Sequence, residues 1–122
     1  MNIPKIFESE YRFMQVLWEN EPVNSTKLVT ICKEKLGWSK ATTYTVIRRL
    51  SERGVLVNED TIVRSLVTKE QVQAAEIDEL VEKTFEGSLP AFIAAFTKHQ
   101  KISEAEIDEV QKMIDRYRKG EC

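Results

Sequence analysis

Histidine and cysteine are nearly absent from this sequence, with one His and two Cys among 122 residues. His99 sits in a polar link with no partner at ligand spacing, and Cys32 and Cys122 make neither a metal spacing nor a disulfide framework. No metal site is expected, and a reducing compartment fits, the cytoplasm by default. The four glycines form no phosphate-cradling loop, and no nucleophile stands with a convergent base. An enzyme is therefore not expected, and neither is a cofactor. No apolar run approaches the roughly eighteen residues of a membrane span. The opening stretch MNIPKIFESEY has no signal-peptide core.

What remains is the composition of a globular protein, 42% hydrophobic and 31% charged. A net charge of −2 is a poor advertisement for nucleic-acid binding, which draws affinity from neutralised phosphates. Its distribution matters more. Residues 1–68 hold 10 Lys and Arg against 8 Asp and Glu, whereas residues 69–122 hold 8 against 12. A mildly basic first half followed by an acidic second half implies two jobs, with a boundary near residue 68. The length fits one small domain carrying an appendage that another chain helps to cover.

Periodicity supplies the elements. Phe7, Tyr11, Met14 and Trp18 recur as one stripe of a helix that Asn20, Glu21 and Pro22 stop. Asn24 and Ser25 are caps for a second helix with Leu28, Cys32 and Leu36 on its apolar side and Gly37 at its end. Cys32 reads as a packing residue on that stripe. Ser39 caps a third helix over about residues 40–53, where Thr43, Val46, Ile47 and Leu50 fall on one side. The opposite side carries Ala41, Thr45, Arg48 and Glu52, with Tyr44 and Arg49 at its margins. Small residues let a helix enter a groove deeply, and arginines reach bases or phosphates.

Beyond Gly54, Val55–Val57 and Ile62–Val67 are β-branched runs around a polar turn, Asn58 to Thr61, and read as a short two-stranded hairpin. Three helices followed by a hairpin is the order of a winged helix-turn-helix. The fold class expected is mostly α with a small β-hairpin wing, plus a C-terminal helical dimerisation segment. Its wing has little basic charge beyond Arg64.

Thr68 with Gln71 forms a capping box for a helix over about residues 69–86, which Gly87 and Ser88 break. Leu89, Phe92, Ile93 and Phe96 then mark a short helix. Ser103 with Glu106 opens a last helix, about 104–119, whose apolar line is Ile107, Val110, Ile114 and Tyr117. Three short helices with one stripe each scarcely bury those stripes against one another, so a second copy is expected to cover them. The expected dimer contacts are Leu89, Phe92, Ile93, Phe96, Ile107, Val110 and Ile114.

From Trp38 to Gly54 the chain reads W-S-K-A-T-T-Y-T-V-I-R-R-L-S-E-R-G, which resembles the penicillinase-repressor family of bacterial regulators. Trp38, Ser39, Thr42, Thr45, Ile47, Arg49, Leu50, Arg53 and Gly54 match the family's pattern, and Thr43 departs from its usual aliphatic. Glu10, Met14, Leu17 and Trp18 supply the upstream motif, and the spacing from Gly87 to the Ser103 capping box follows the family's dimerisation segment. Nearly the whole chain is covered. The resemblance implies a homodimeric repressor with one winged helix on each half of an inverted-repeat, double-stranded operator. It implies DNA contacts from Ser39, Lys40, Ala41, Thr42, Tyr44, Thr45, Arg48, Arg49 and Arg64. Target genes in the family concern β-lactam resistance or copper handling. Copper-responsive members end in C-x-C clusters that hold Cu(I) through thiolates, whereas this chain ends R-K-G-E-C, which favours the β-lactam branch. There a regulatory protease cuts an Asn-Phe bond in the dimerisation segment, which corresponds by position to Ala95-Phe96. Phe96 is retained and the Asn is not. A winged helix used only for protein contacts is the competing reading, because the fold does not dictate its partner.

Overall fold

The computed structural model describes residues 2–121, so Cys122 lies outside the described residues. The chain divides into two compact units, Met1–Ile77 and Asp78–Cys122.

The first unit opens with α1 (Glu8–Asn20), whose buried arc is Glu10, Phe13, Met14, Val16 and Leu17. This set corrects the stripe expected from Phe7, Tyr11, Met14 and Trp18, of which it keeps only Met14. Phe7 precedes the first turn and is exposed, while Tyr11 and Trp18 flank the arc, their rings edge to face at 5.8 Å. A carboxylate on the buried arc, Glu10, is what disguised the true period.

Next come a two-residue strand β1 (Val23–Asn24) and α2 (Ser25–Leu36). Asn24 caps α2 by accepting from the Thr26 amide at 2.8 Å, and Gly37 ends it at φ +70, a left-handed conformation that costs glycine little. Helix α3 (Lys40–Glu52) starts at Ser39, whose hydroxyl accepts from the Thr42 amide at 3.1 Å. Strands β2 (Leu56–Glu59) and β3 (Ile62–Ser65) follow.

The sheet has three antiparallel strands in the order β1-β3-β2, rather than the two of the expected ribbon. Val23 lies opposite Val63, and two residues are too few to leave a period in the sequence. The turn is also tighter than expected. Asn58 and Glu59 belong to β2, and Glu59 pairs with Ile62, leaving only Asp60 and Thr61 in the loop. Both have positive φ, 52° and 65°, the signature of a type I′ hairpin. For Thr61, a β-branched residue, that conformation is held from outside: its carbonyl accepts from the Ser25 amide at 2.8 Å and its hydroxyl from Asn24 at 3.2 Å.

Side chains from all these elements make one core, with Phe13, Met14, Leu17, Leu28, Leu50, Val55, Leu56 and Val63 at its centre. Trp38 stacks on Phe13 at 5.9 Å and Trp18 donates its indole N–H to the Val67 carbonyl at 3.0 Å, so both tryptophans are packing residues. Helix α4 (Lys69–Phe85) begins from a reciprocal cap between Thr68 and Gln71, and Val72 joins the core.

The second unit holds the rest of α4, then α5 (Leu89–His99) and α6 (Glu104–Arg118). Ser88 caps α5 through the Ala91 amide, and the helix runs on to His99, which therefore stands in a last turn and not in a link. Ser103 and Glu106 form the capping box of α6 in both directions. The rings of Phe85, Phe92 and Phe96 follow one another at 5.5 and 6.0 Å. None of the described residues of this unit is fully buried. Among the described residues no helix is long and apolar enough to cross a membrane.

Candidate nucleic-acid interface

Helix α3 divides into two faces. Thr43, Val46, Ile47 and Leu50 are buried, which turns Ala41, Arg48 and Glu52 outward on the far side. Lys40, Thr42 and Arg49 are exposed beside them, and Thr45 is half-buried. Ser39 is exposed, but its oxygen already serves the Thr42 amide and its hydroxyl proton goes to the Thr42 side chain at 3.0 Å. These two residues set where the helix starts. The outward face offers a small-residue entrance followed by two guanidinium groups that make no ion pair among the described residues, a form suited to a groove about 12 Å wide flanked by phosphates.

Tyr44 is placed differently from its neighbours. Its ring is half-buried against the core and its hydroxyl lies 3.4 Å from the Ser25 hydroxyl. The phenol ties α3 to the start of α2. Arg64 lies on β3 in the wing, exposed, with its guanidinium 3.6 Å from the Glu59 carboxylate. It stands apart from the α3 cluster in sequence and element, and the short hydrogen-bonded hairpin is what fixes its position.

The angle of α3 is held at its far end by contacts that sequence reasoning missed. Glu10, 6% exposed, accepts from the Phe7 amide at 2.9 Å through one oxygen and pairs with Arg53 through the other. Arg53 also donates to the Lys5 carbonyl at 2.7 Å, and its guanidinium lies over the Phe7 ring at 5.3 Å. A buried carboxylate needs such a partner. Glu10 and Arg53 were visible only as matches to a pattern; 43 residues separate them, and no local signal joins them.

Thr43, which departs from the resembled pattern, is completely buried. Its hydroxyl donates back to the Ser39 carbonyl at 3.1 Å, so the polar group is satisfied within the helix. Cys32 packs beside it, and burial pushes that thiol up from 9.0 to about 11, with the Thr43 hydrogen bond acting in the opposite direction. Cys32 is thus an uncharged packing group at neutral pH.

In the second unit the residues expected at a dimer contact form an open apolar surface. Phe92, Ile93, Phe96, Ile102, Ile107, Val110 and Ile114 line a groove of about 380 Å³ between α5 and α6. Leu89 and Ile107 are more than half exposed. Ala95 is half-buried and Phe96 exposed, and both lie inside α5, where the Phe96 carbonyl accepts from the Gln100 amide at 2.9 Å. Among the described residues no group of three or more His, Cys, Asp or Glu is placed to hold a metal ion.

These features have a counterpart in known proteins. The chain is 23% identical to the penicillinase repressor of Bacillus licheniformis over 121 residues, spanning 95% of this chain and 94% of that protein. The penicillinase repressor family matches residues 6–116, which takes in both units. The winged helix and the helices that follow it therefore belong together, and the chain is a member of the penicillinase repressor family, a DNA-binding transcriptional repressor by class.

Proposed function

We propose that this protein represses transcription as a homodimer on an inverted-repeat operator, of the β-lactam-resistance type, with relief by proteolysis in the dimerisation segment. The observation that carries the reading is the division of α3 into a fully buried face and an outward face bearing Ala41, Arg48 and Arg49. Arg48 leaves the centre of the outward face and reaches a base edge, whereas Arg49 leaves its flank and holds backbone phosphate. Ser39, Lys40, Thr42, Thr45 and the half-buried Tyr44 border the same surface, and Arg64 approaches from the wing.

The dimer reading draws support from the apolar groove of the second unit. Leu89, Phe92, Ile93, Phe96, Ile107, Val110 and Ile114 on one copy are covered by the same residues on another, as a two-fold interface requires. Each half-site contact then benefits from tethering to the other. Cutting Ala95-Phe96 would divide this surface and lower DNA affinity with it. Because that bond lies within α5, a protease would meet it only after local unfolding of the helix. The half-buried Ala95 and the missing Asn make the site a poorer match to a family protease than its Phe96 alone suggests.

The test is binding of duplexes selected from a randomised pool, compared with scrambled duplexes across a salt series. Arg48→Ala is expected to cost about 1–3 kcal/mol on the selected duplex and to relax preference at one base position, with Arg49→Ala weakening all duplexes alike. Equal affinity for selected and scrambled duplexes at every salt concentration would overturn the repressor reading.

A further inference from the structure

The wing of this protein carries the wrong charge for a phosphate contact. Its tip holds Glu59 and Asp60, and its one arginine, Arg64, already faces Glu59 at 3.6 Å. Asp60 makes no ion pair among the described residues. The tip is also tied to the groove-facing surface. The Thr61 carbonyl accepts from the Ser25 amide at 2.8 Å, and the Ser25 hydroxyl lies 3.4 Å from the hydroxyl of Tyr44 at the margin of the outward face of α3. Two hydrogen bonds therefore connect Asp60's neighbour to the recognition surface. Charges carried on a surface tied in this way to α3 act on the phosphates of a bound duplex over the roughly 8–10 Å screening length of physiological salt.

We propose that Glu59 and Asp60 are affinity-limiting residues: through repulsion from the phosphate backbone and capture of Arg64, they hold a single winged-helix unit below the affinity at which it stays on DNA alone. The inference rests on the DNA-binding reading above. Repulsion of this kind acts on every sequence, so retention depends on base contacts and on two units acting together. An acidic wing thereby makes occupancy of DNA sensitive to loss of the partner copy.

The experiment uses the full chain, a scrambled duplex of about 30 base pairs, near three helical turns, and salt from about 50 to 300 mM. Glu59→Gln with Asp60→Asn is compared with wild type and with Glu19→Gln, which removes a charge from α1 in a cleft lined by Glu21, Ser65 and Thr68 but by no residue of α3 or of the tip at Glu59 and Asp60. Asparagine suits the left-handed backbone at position 60, so the turn is kept, and circular dichroism and thermal melting check that it is. The double variant is expected to bind about tenfold more tightly at the lowest salt, with the advantage shrinking towards unity as salt rises. Glu19→Gln is expected to match wild type. A double variant within twofold of wild type at low salt, or an advantage that does not fall with salt, overturns the inference while leaving the repressor reading intact. Wild type that binds no duplex at low salt overturns both.

Discussion

The two units of this chain solve the same problem of apolar surface in opposite ways. In the first, residues from Ile6 to Val72 close around one another, and Phe13, Met14, Leu17, Leu28 and Leu50 are fully withdrawn from water. In the second, two well-capped amphipathic helices leave Leu89, Ile93, Phe96, Ile107, Val110, Met113 and Ile114 accessible. Good caps and a clear stripe are enough to specify a helix, but they do not supply the surface that the stripe is buried against. The first unit carries its own core and has the makings of independent stability. The second needs another surface, which under the proposed function is a second copy of itself.

The sharpest way to break this contrast is to separate the units. A fragment ending at Ile77, which retains Val72 in the core, is expected to melt cooperatively as a monomer and to lose about 10²–10⁴-fold in operator affinity, the contribution of tethering. Sedimentation and titration on the selected duplex measure both. Undiminished affinity in the monomeric fragment would show that the second unit does not act through tethering.

Paired substitutions sharpen it. Leu50→Ala opens a cavity in the closed core and is expected to cost the first unit about 2–5 kcal/mol in urea unfolding. Ile114→Ala in the groove is expected to leave that transition in place and to raise the concentration at which dimers form. A similar loss of first-unit stability from both substitutions would mean that the units share one core. A smaller effect, about 1–3 kcal/mol, is expected from Arg53→Ala, which leaves the Glu10 carboxylate inside the first unit with only the Phe7 amide. Its measure is again urea unfolding, with Arg53→Lys recovering only part because a single ammonium does not span Glu10 and the Lys5 carbonyl as a guanidinium does.

The smallest effect concerns pH. Cys32 keeps its proton more tightly folded than unfolded, so its contribution is fully present below about pH 9 and is lost as pH rises towards about 11. Unfolding free energy of the first unit is expected to fall across that window and to fall less in Cys32→Ala at the same pH. A parallel pH dependence in the variant would assign the change to other groups.

Much of this architecture was legible because its signals are local. Ser39, Thr68 and Ser103 each act on a residue three positions on, and the alternation of faces in α3 survives in thirteen residues of sequence. What escaped notice depends on distant partners. Strand β1 exists because β3 lies beside it, Glu10 is buried because Arg53 arrives from 43 residues away, and Tyr44 turns inward because Ser25 receives it. The outward face of α3 was therefore readable as a set, whereas the availability of each member was not. The wing shows the same limit, since Arg64 read only as its basic charge, and the hairpin, which pairs Arg64 with Val57, brings the Glu59 carboxylate within 3.6 Å of it.

The placement of the tryptophans has a practical consequence. The sequence contains two, and both Trp18 and Trp38 pack in the first unit, whereas Tyr117 is the sole tyrosine of the second. Indole emission excited at the red edge of the absorption band is thus an intrinsic optical reporter of the winged helix alone. Under the proposed function, exchange of subunits or a cut in α5 would proceed out of its sight as long as the first unit stays folded. Trp18, whose N–H is held by the Val67 carbonyl just ahead of α4, is the one chromophore positioned to register fraying where that helix departs from the core.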